Sequence, residues 1–547
     1  MLRLIDSVST SLPPVLTETP VHDQPPSSRL WRARWPGALL KHDAVTCLGV
    51  GLLALIIRLA LLPWIPIPEP VIHDEFSYLL GAETFASGRL TNPAHPLWIH
   101  FETFHVNQQP TYATKYPPAQ SLVLALGQRL LGNYWFGVWL SVGFMCACLT
   151  WMLQGWVARR YALMGGLIAI AQWGITGYWI NSYWGGALGA AGGALVLGAV
   201  PRLARRVAAS SMALGALGVL LLVSTRPFEG AFTATGALVA LVIWRRRAGC
   251  RVSELFLTKT ALPAAMLLVA GVASMAYYNY RVTGHPLMLP YLVNQRQYSS
   301  SPHLWILPPS PSLSYRHDIM RRFWVDWDRP LYFEARANPG IVLNRFVRFI
   351  LPFFINPLTG LLIAIAIVLR RGWKVYLAVD LAAVPAAAIL LEKSSWMHYF
   401  SPATGLVLVV AMCGLQFLRT LRIRGLRLGR SAVVMFAGVF LVYSVLGIAS
   451  DIRSTGTNAF SDHRRSVIHT LEAAGGRHLV IVHYSPEHSV HEEWVYNHAD
   501  IDGSSIVWAH DMGTQQNREL VDYYRARKIW VLDPDNGPSL LPYSRNP

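Results

Sequence analysis

The stretch AVTCLGVGLLALIIRLALLPWIP, residues 44–66, is a nearly continuous apolar run that ends with two prolines and a tryptophan. About 20 apolar residues in a helix cross a hydrocarbon core of roughly 30 Å. Similar runs recur as far as about residue 450, and the chain is 53% hydrophobic and only 14% charged. Soluble domains carry about a quarter charged residues, so the sequence predicts a polytopic α-helical membrane protein.

The apolar runs give eleven predicted membrane spans. With eleven spans, every Lys/Arg-rich connection falls on one side, as the positive-inside rule requires. This agreement requires residues 119–131 to form an interfacial helix that does not cross. The spans lie near residues 44–66, 135–156, 161–179, 185–201, 209–224, 228–244, 260–280, 346–369, 374–391, 403–418 and 431–450.

The same charge pattern orients the chain. It predicts a cytoplasmic N-terminus and an extracytoplasmic C-terminus for a multi-pass protein of the cytoplasmic membrane. Because the inner connections account for the net charge of +17, that charge does not indicate nucleic-acid binding. The small-residue stretch WGGALGAAGGALVLG, residues 184–198, favours close helix packing over a permeation path.

Three regions are predicted. Residues 1–43 are Pro/Ser-rich and are expected to form a disordered cytoplasmic tail. Residues 44–450 form the transmembrane domain, with outer loops 67–134 and 281–345. Residues 451–547 are expected to form a small extracytoplasmic α/β domain with a largely parallel sheet. Its strands are predicted at 478–484, 505–511 and 528–533, and its helices at 461–474 and 515–527.

Two adjacent acids follow the first span in HDEFSYLLGAETFASGRL, residues 73–90. On the predicted topology, Asp74 and Glu75 face the outside directly beside the membrane. An acid at the start of a helix caps free backbone N–H groups, and a carboxylate in this place can also act as a general base. Both roles stay open, and Asp74 and Glu75 are the catalytic candidates.

Further polar residues occur at predicted outer helix ends. An Arg at the bilayer centre costs about 2.5–3.5 kcal/mol, so Arg58 either snorkels to the interface or binds an anion. Arg226 and Glu229 form either a boundary ion pair or part of a site. Cations at the membrane face would suit a lipid phosphate. The candidate anion-binding residues are Arg58, Lys115, Arg226, His398 and Tyr399.

Several short motifs follow one another in a distinctive order. The first pairs the acids with an aromatic residue, and the second begins an amphipathic helix that ends near a Leu-Leu-Gly. In chain order they are Asp74-Glu75 with Tyr78, KYPP (115–118), Leu130-Leu131-Gly132, YYNYRVTGHPLMLPY (277–291) and HYFSPA (398–403).

In this order and topology the chain resembles the GT-C class of integral-membrane glycosyltransferases. The resemblance is to the bacterial branch related to protein O-mannosyltransferases and to the transferase that adds aminoarabinose to lipid A, and it covers roughly residues 44–420. It implies an inverting enzyme that moves a sugar from a polyprenyl phosphate or diphosphate to a lipid, glycan or protein acceptor. Asp74 would be the base, and Lys115 and Tyr116 would contact the donor.

The chain also departs from this pattern. Ser77 and Tyr78 stand where the aminoarabinose enzyme has an Arg. The loop INSYWGG, residues 180–186, lacks the second acid of some relatives, so Glu229 replaces that acid or there is none. Some members bind a divalent metal, whose candidate ligands in the first loop are His73, His95, His100 and His105.

Two other functional classes remain open. A transporter would show internal repeats and broken spans, and no repeat is visible. A non-catalytic scaffold for envelope assembly would depend on the C-terminal tail. The spacing of the tail histidines matches no common metal pattern, which favours a solvated surface; they are His483, His488, His491 and His498.

Overall fold

The computed structural model describes residues 43–256, 259–370, 372–422, 424–454, 458–537 and 539–544. The predicted tail therefore lies outside the described residues, apart from Asp43, which begins the first helix.

Helices dominate the described chain. In chain order they are α1 Asp43–Ala60, α2 His73–Ala86, α3 Pro118–Leu131, α4 Trp135–Trp156, α5 Arg159–Ala169, α6 Gly186–Arg205, α7 Ala209–Val223, α8 Pro227–Arg247, α9 Leu262–Thr283, α10 Pro290–Tyr298, α11 Asp318–Arg321, α12 Arg329–Ala337, α13 Gly340–Arg345, α14 Leu351–Phe354, α15 Pro357–Ile365, α16 Trp373–Ile389, α17 Thr404–Thr420, α18 Gly429–Ser454, α19 Ala459–Ala474 and α20 Thr514–Tyr523.

Seven described helices are long and apolar enough to cross a membrane. Residues 340–354 and 357–369 make an eighth if they count as one span, although the chain bends by 98° between them. The protein is thus a multi-pass membrane protein. The predicted number of eleven is not confirmed, because α5, α7 and α16 are shorter. The predicted span 161–179 is helical only to Ala169 and continues as a wide turn, Ile170–Gly174.

Close helix packing in α6 agrees with its small residues. A Cβ on Gly193 would lie 2.0 Å from the carbonyl oxygen of Pro402, and one on Gly189 would lie 2.3 Å from Ser401 Oγ. Both glycines therefore let the HYFSPA segment approach the α6 backbone. That contact fixes the position of His398 and Tyr399, which precede it.

The first outer loop folds as a compact layer. It contains the helices α2 and α3 and a three-stranded sheet of order β1-β3-β2. Residues 119–131, predicted as an interfacial helix, lie in α3, which is capped by Gly132 with the positive φ of 76° that favours glycine. The strands are β1 Asn92–Pro93, β2 Val106–Asn107 and β3 Thr111–Thr114.

The C-terminal segment forms the expected α/β arrangement. Its strands are β4 His478–Val482, β5 Ile506–His510, β6 Lys528–Asp533 and β7 Ser539–Pro542. The order is β5-β4-β6-β7, with β4 parallel to both neighbours. The sequence prediction missed β7, which pairs antiparallel with β6. A short exposed strand ending in proline has little hydrophobic pattern to detect.

This sheet shares a hydrophobic core with the first loop. Leu80, Phe101 and Tyr112 from the loop pack with Leu479 and Val507 from the sheet. The hydroxyl of Tyr112 donates to the carbonyl of Asn497 at 2.9 Å. The layer above the membrane helices is therefore one packed unit built from two distant parts of the chain.

Gly193→Ala is expected to destabilise the protein, because the added methyl group would overlap Pro402. Overpacking of this kind costs about 1–3 kcal/mol, so the melting temperature in detergent should fall by several degrees. Gly49→Ala is the matched control, since a Cβ there meets nothing within 4 Å. Equal melting temperatures for both variants would contradict the proposed contact.

Candidate functional site

A cavity of about 610 Å³ lies where the predicted outer segments meet. Its walls come from the first loop, the start of α8, the chain from α10 to α12, the segment before α17 and the C-terminal module. All catalytic and donor-binding candidates except Arg58 and Glu75 line it; they are Asp74, Lys115, Tyr116, Arg226, Glu229, His398 and Tyr399.

Asp74 is the acid that faces this cavity. Its side chain is 17% exposed, and its Oδ2 lies 2.9 Å from His73 Nδ1 and 3.7 Å from His105 Nε2. The hydroxyl of Tyr116 donates to its Oδ1. Burial alone would raise the pKa of Asp74, but His105, His73 and Lys115 outweigh burial and hold that pKa well below its usual range. Asp74 is therefore an ionised carboxylate.

Lys115 is a buried cation beside this carboxylate. Its Nζ lies 2.6 Å from His105 Nδ1 and 5.1 Å from the ring centroids of both Tyr116 and Tyr291. Burial lowers the pKa of Lys115 to about 8, so the ammonium is charged at neutral pH. A phosphate in the cavity would meet this cation.

Arg226, His398 and Tyr399 form a second part of the wall. The Arg226 guanidinium lies 4.9 Å from the Tyr399 ring centroid. His398 Nδ1 lies 3.3 Å from the hydroxyl of Tyr178. Arg226 is the N-cap residue of α8, and its backbone N–H donates to the carbonyl of Leu222 in the last turn of α7 at 2.6 Å.

The structure adds polar residues that the sequence analysis missed. Lys393 Nζ lies 2.6 Å from Asp328 Oδ2, and His303 Nε2 lies 2.8 Å from Glu392 Oε2. All four line the cavity. Glu392 and Lys393 are adjacent in sequence and lie in the same short segment as His398. This pair of charged residues is the feature of the sequence that could have identified them.

His491 reaches the cavity from the C-terminal module. Its ring centroid lies 5.9 Å from that of His73. Its Nδ1 is buried and has no hydrogen-bond partner among the described residues. The module therefore helps to build the site, which its sequence alone did not reveal.

Arg58 does not line the cavity, which corrects the predicted donor contact. Its side chain is fully buried, and it donates to the carbonyl of Ile65 at 2.9 Å and to Asn181 Oδ1 at 3.1 Å. The guanidinium also lies 4.8 Å from the Trp135 ring centroid. Backbone carbonyls thus take the place of the expected anion.

Glu75 likewise faces the protein, away from the cavity. Its Oε2 accepts from the N–H of Val71 at 2.8 Å, and its Oε1 accepts from the N–H of Tyr183 at 2.9 Å. Burial raises the pKa of Glu75 to about 7. Its geometry fits a link between the first loop and the turn before α6, so a direct catalytic role is not supported.

Ser77 and Tyr78 contact two neighbours of Asp74. Ser77 Oγ donates to the carbonyl of His105 at 2.7 Å. Tyr78 stacks on Tyr116, with 4.4 Å between ring centroids. These contacts hold two of the groups that surround Asp74.

Three side chains could hold a divalent metal. One ligand atom from each of His73, Asp74 and His105 lies within 4.8 Å of the other two. Imidazole and carboxylate ligands suit Zn²⁺ and related ions. The other two first-loop histidines lie elsewhere: His95 contacts Asp502 at 3.2 Å, and His100 is buried in a short turn.

The other tail histidines do not gather at one site. His483 pairs with Asp511 and His488 with Asp535, both at 2.7 Å. His498 lies 3.1 Å from Glu83 Oε2 on α2. Each of these three therefore has a structural partner.

One side of the cavity is apolar. It is formed by side chains at the start of α8, in α9 and near α10, of which Phe232 and Leu292 are 38% and 37% exposed. An opening of this kind can admit a lipid chain from the side. Its residues include Phe228, Phe232, Met275, Leu289 and Leu292.

The sequence itself matches no protein-family model and no curated protein. The structure is similar to that of ArnT from Cupriavidus metallidurans in the apo state, with a TM-score of 0.51 and 12% identity. The match covers 89% of this chain and 94% of ArnT.

Two further structures overlap with this chain at lower TM-scores. ArnT from the same organism bound to undecaprenyl phosphate gives a TM-score of 0.40 and 15% identity, over 81% of this chain and 70% of that one. The Archaeoglobus fulgidus oligosaccharyltransferase AglB, in complex with an inhibitory peptide and a dolichol-phosphate, gives 0.43 and 12%, over 89% and 69%. The likeness to apo ArnT shows that this chain has a GT-C class fold.

Proposed function

We propose that this protein is an inverting glycosyltransferase that moves a sugar from a polyprenyl-phosphate donor to an acceptor hydroxyl, with Asp74 as the general base. The observation that carries the proposal is the ionised Asp74 carboxylate in a cavity that also holds buried cations and an apolar opening. This arrangement combines the three things the reaction needs: a proton acceptor, stabilisation of a leaving phosphate, and room for a lipid chain.

Asp74 would take the proton of the acceptor hydroxyl. The acceptor oxygen then bonds to the anomeric carbon, the bond from that carbon to the phosphate oxygen breaks, and the phosphate leaves with the electron pair. Attack opposite the leaving group inverts the anomeric centre. A carboxylate with a low pKa is a weak base, which suits a transition state with oxocarbenium character, where the acceptor proton is transferred late.

Lys115 and Arg226 would stabilise the leaving phosphate. Both line the cavity, and a preorganised cation in a site of low polarity stabilises developing negative charge far more than it would in water. Lys393 is less available, because Asp328 already holds its ammonium at 2.6 Å.

The apolar side supports a lipid-linked donor. Phe228, Phe232 and Leu292 line the cavity together with its polar residues, and Phe232 and Leu292 are partly exposed at the protein surface. ArnT, which shares this fold in its apo state, has also been solved with undecaprenyl phosphate. The opposite wall carries Glu229 and Glu392, and Glu392 Oε1 has no hydrogen-bond partner among the described residues. We assign these two acids to recognition of sugar hydroxyls, in place of a second catalytic acid.

A divalent metal at His73, Asp74 and His105 is compatible with this proposal. The donor set fits, and the buried Nε2 of His73 has no hydrogen-bond partner in the described chain. A bound metal would add positive charge to the wall that faces the leaving phosphate. The residues of this chain would still hold the acceptor, the lipid and the sugar.

The transporter and the scaffold are the remaining alternatives. The polar cavity lies at one end of the helix bundle, which favours chemistry at one membrane face over passage through it. The C-terminal module contributes His491 to the cavity, so the module serves the same site, and a separate scaffold function does not need to be invoked.

Asp74→Asn is expected to abolish sugar transfer while leaving donor binding intact, because the amide keeps the shape but cannot take a proton. Loss of a general base typically lowers a rate by about 10²- to 10⁴-fold. Transfer is measured with purified protein in nanodiscs, a panel of radiolabelled polyprenyl-phosphate sugars and an envelope extract as acceptor source.

Glu69→Gln is the control. Glu69 lies in the same loop but does not line the cavity, and its carboxylate is 3.4 Å from the Arg465 guanidinium. Its activity should stay within about twofold of wild type, as expected for an exposed ion pair. Equal turnover of wild type and Asp74→Asn would remove Asp74 from the mechanism. Flux of the donor across sealed vesicles without transfer would support the transporter instead.

The metal assignment predicts that purified protein, dialysed against Zn²⁺ or Mn²⁺, retains about one equivalent of metal. His73→Ala and His105→Ala should lose that metal, as measured by inductively coupled plasma mass spectrometry. His95→Ala, whose ring contacts the C-terminal module, should keep it. Retention of the metal in all three variants would place it elsewhere.

A further inference from the structure

A second pocket, of about 490 Å³, lies at the other end of the helix bundle. It is formed by the first turn of α5, the last turn of α17 and the chain between α17 and α18. Five of its lining residues are arginines and none is an acid; the five are Arg160, Arg419, Arg422, Arg427 and Arg430.

Helix α17 shows how far this arginine pocket lies from the cavity. The helix runs from Thr404 to Thr420. It begins just after His398 and Tyr399, which line the cavity, and it ends beside Arg419, which lines the pocket. Seventeen helical residues span about 25 Å, so the two sites face opposite sides of the membrane.

Arginines of the other basic clusters on this side have hydrogen-bond or ion-pair partners within the protein. Arg202 donates to the carbonyls of Gly198 at 2.8 Å and Trp151 at 2.7 Å. Arg245 donates to the carbonyl of Leu203 at 2.9 Å and contacts Glu254 at 2.5 Å. Arg202 and Arg245 therefore serve to hydrogen-bond backbone carbonyls near the ends of the helices.

The arginine pocket differs, because its guanidinium groups share one concavity. Within the described residues, none of its five arginines has an acidic partner, and Arg160 lies over the ring of Tyr161 at 4.9 Å. Like charges held together repel one another unless an anion compensates. The planar guanidinium group matches phosphate through two parallel hydrogen bonds.

We propose that the arginine pocket binds the phosphate of an anionic phospholipid headgroup, in the leaflet opposite the one that supplies the cavity. Basic pockets between transmembrane helices on the cytoplasmic side are suited to such headgroups. The bound phosphate would link the start of α5, the end of α17 and the start of α18. It would also compensate the positive charge of the arginines that these three helix ends bring together. The site is independent of the proposed transfer reaction.

Native mass spectrometry of the full chain, released from detergent with added phosphatidylglycerol or phosphatidylcholine, tests this inference. The wild type should retain phosphatidylglycerol at least tenfold more strongly than phosphatidylcholine. The variant Arg422→Gln/Arg427→Gln/Arg430→Gln should lose that preference.

Arg246→Gln/Arg247→Gln/Arg251→Gln is the matched control, because it removes the same charge from exposed residues on the same side, outside the pocket. It should keep the preference for phosphatidylglycerol. Equal loss in both triple variants would overturn the proposal in favour of a general surface charge, and no loss in either would overturn it as well.

Two further measurements distinguish loss of lipid binding from misfolding and from binding of free phosphate. The melting temperature of each variant in lipid-free detergent shows whether it folds; if the triple variant does not, Arg422→Gln alone is expected to weaken retention about threefold. Inorganic phosphate at millimolar concentration is the second probe. Suppose that it displaces no lipid but raises the melting temperature of the wild type and not that of the triple variant. The arginine pocket then binds free phosphate, and its assignment to a lipid headgroup is wrong.

Discussion

The structure depends on keeping an ionised carboxylate beside a membrane. A buried charge costs several kcal/mol unless partners compensate for it. Asp74 obtains its partners from the first loop alone: His73 precedes it, and His105 and Tyr116 arrive through the small sheet and the start of α3. Everything around them, including the C-terminal sheet above, serves to hold these groups out of bulk water.

The positioning contacts form a connected frame. Glu75 ties the first loop to the turn before α6, and Arg58 ties that same turn to the end of α1. Gly193 brings the segment after Tyr399 against α6. Glu75 and Arg58, which were predicted to contact substrate, therefore hold the backbone segments whose neighbours line the cavity.

Much of the architecture could be predicted from local sequence. Apolar runs locate helices because burial in lipid demands about 20 consecutive apolar residues, and buried strands such as HLVIV at 478–482 stand out by composition. The number of crossings could not be settled this way, because short helices such as α7 and a sharp bend before Pro357 carry similar composition.

The candidate site was only partly predictable. Asp74 belongs to one short motif and Lys115 and Tyr116 to a second one later in the same loop, and the order of these motifs sufficed to select the three residues. Arg58 and Glu75 were misassigned because their partners are backbone groups, which leave no trace in the sequence. Pairs such as Lys393 with Asp328 depend on contacts between residues 65 positions apart, and His491 is more distant still.

The shared core of the first loop and the C-terminal sheet has a consequence for biogenesis. Loop residues Leu80 and Tyr112 are synthesised long before their packing partners Leu479 and Leu520. The layer formed by the first loop and the C-terminal sheet therefore closes only after residues 479–520 have been synthesised. A chain terminated before these residues would carry Asp74 without the sheet that packs against its loop, so the order of synthesis determines when this layer is complete.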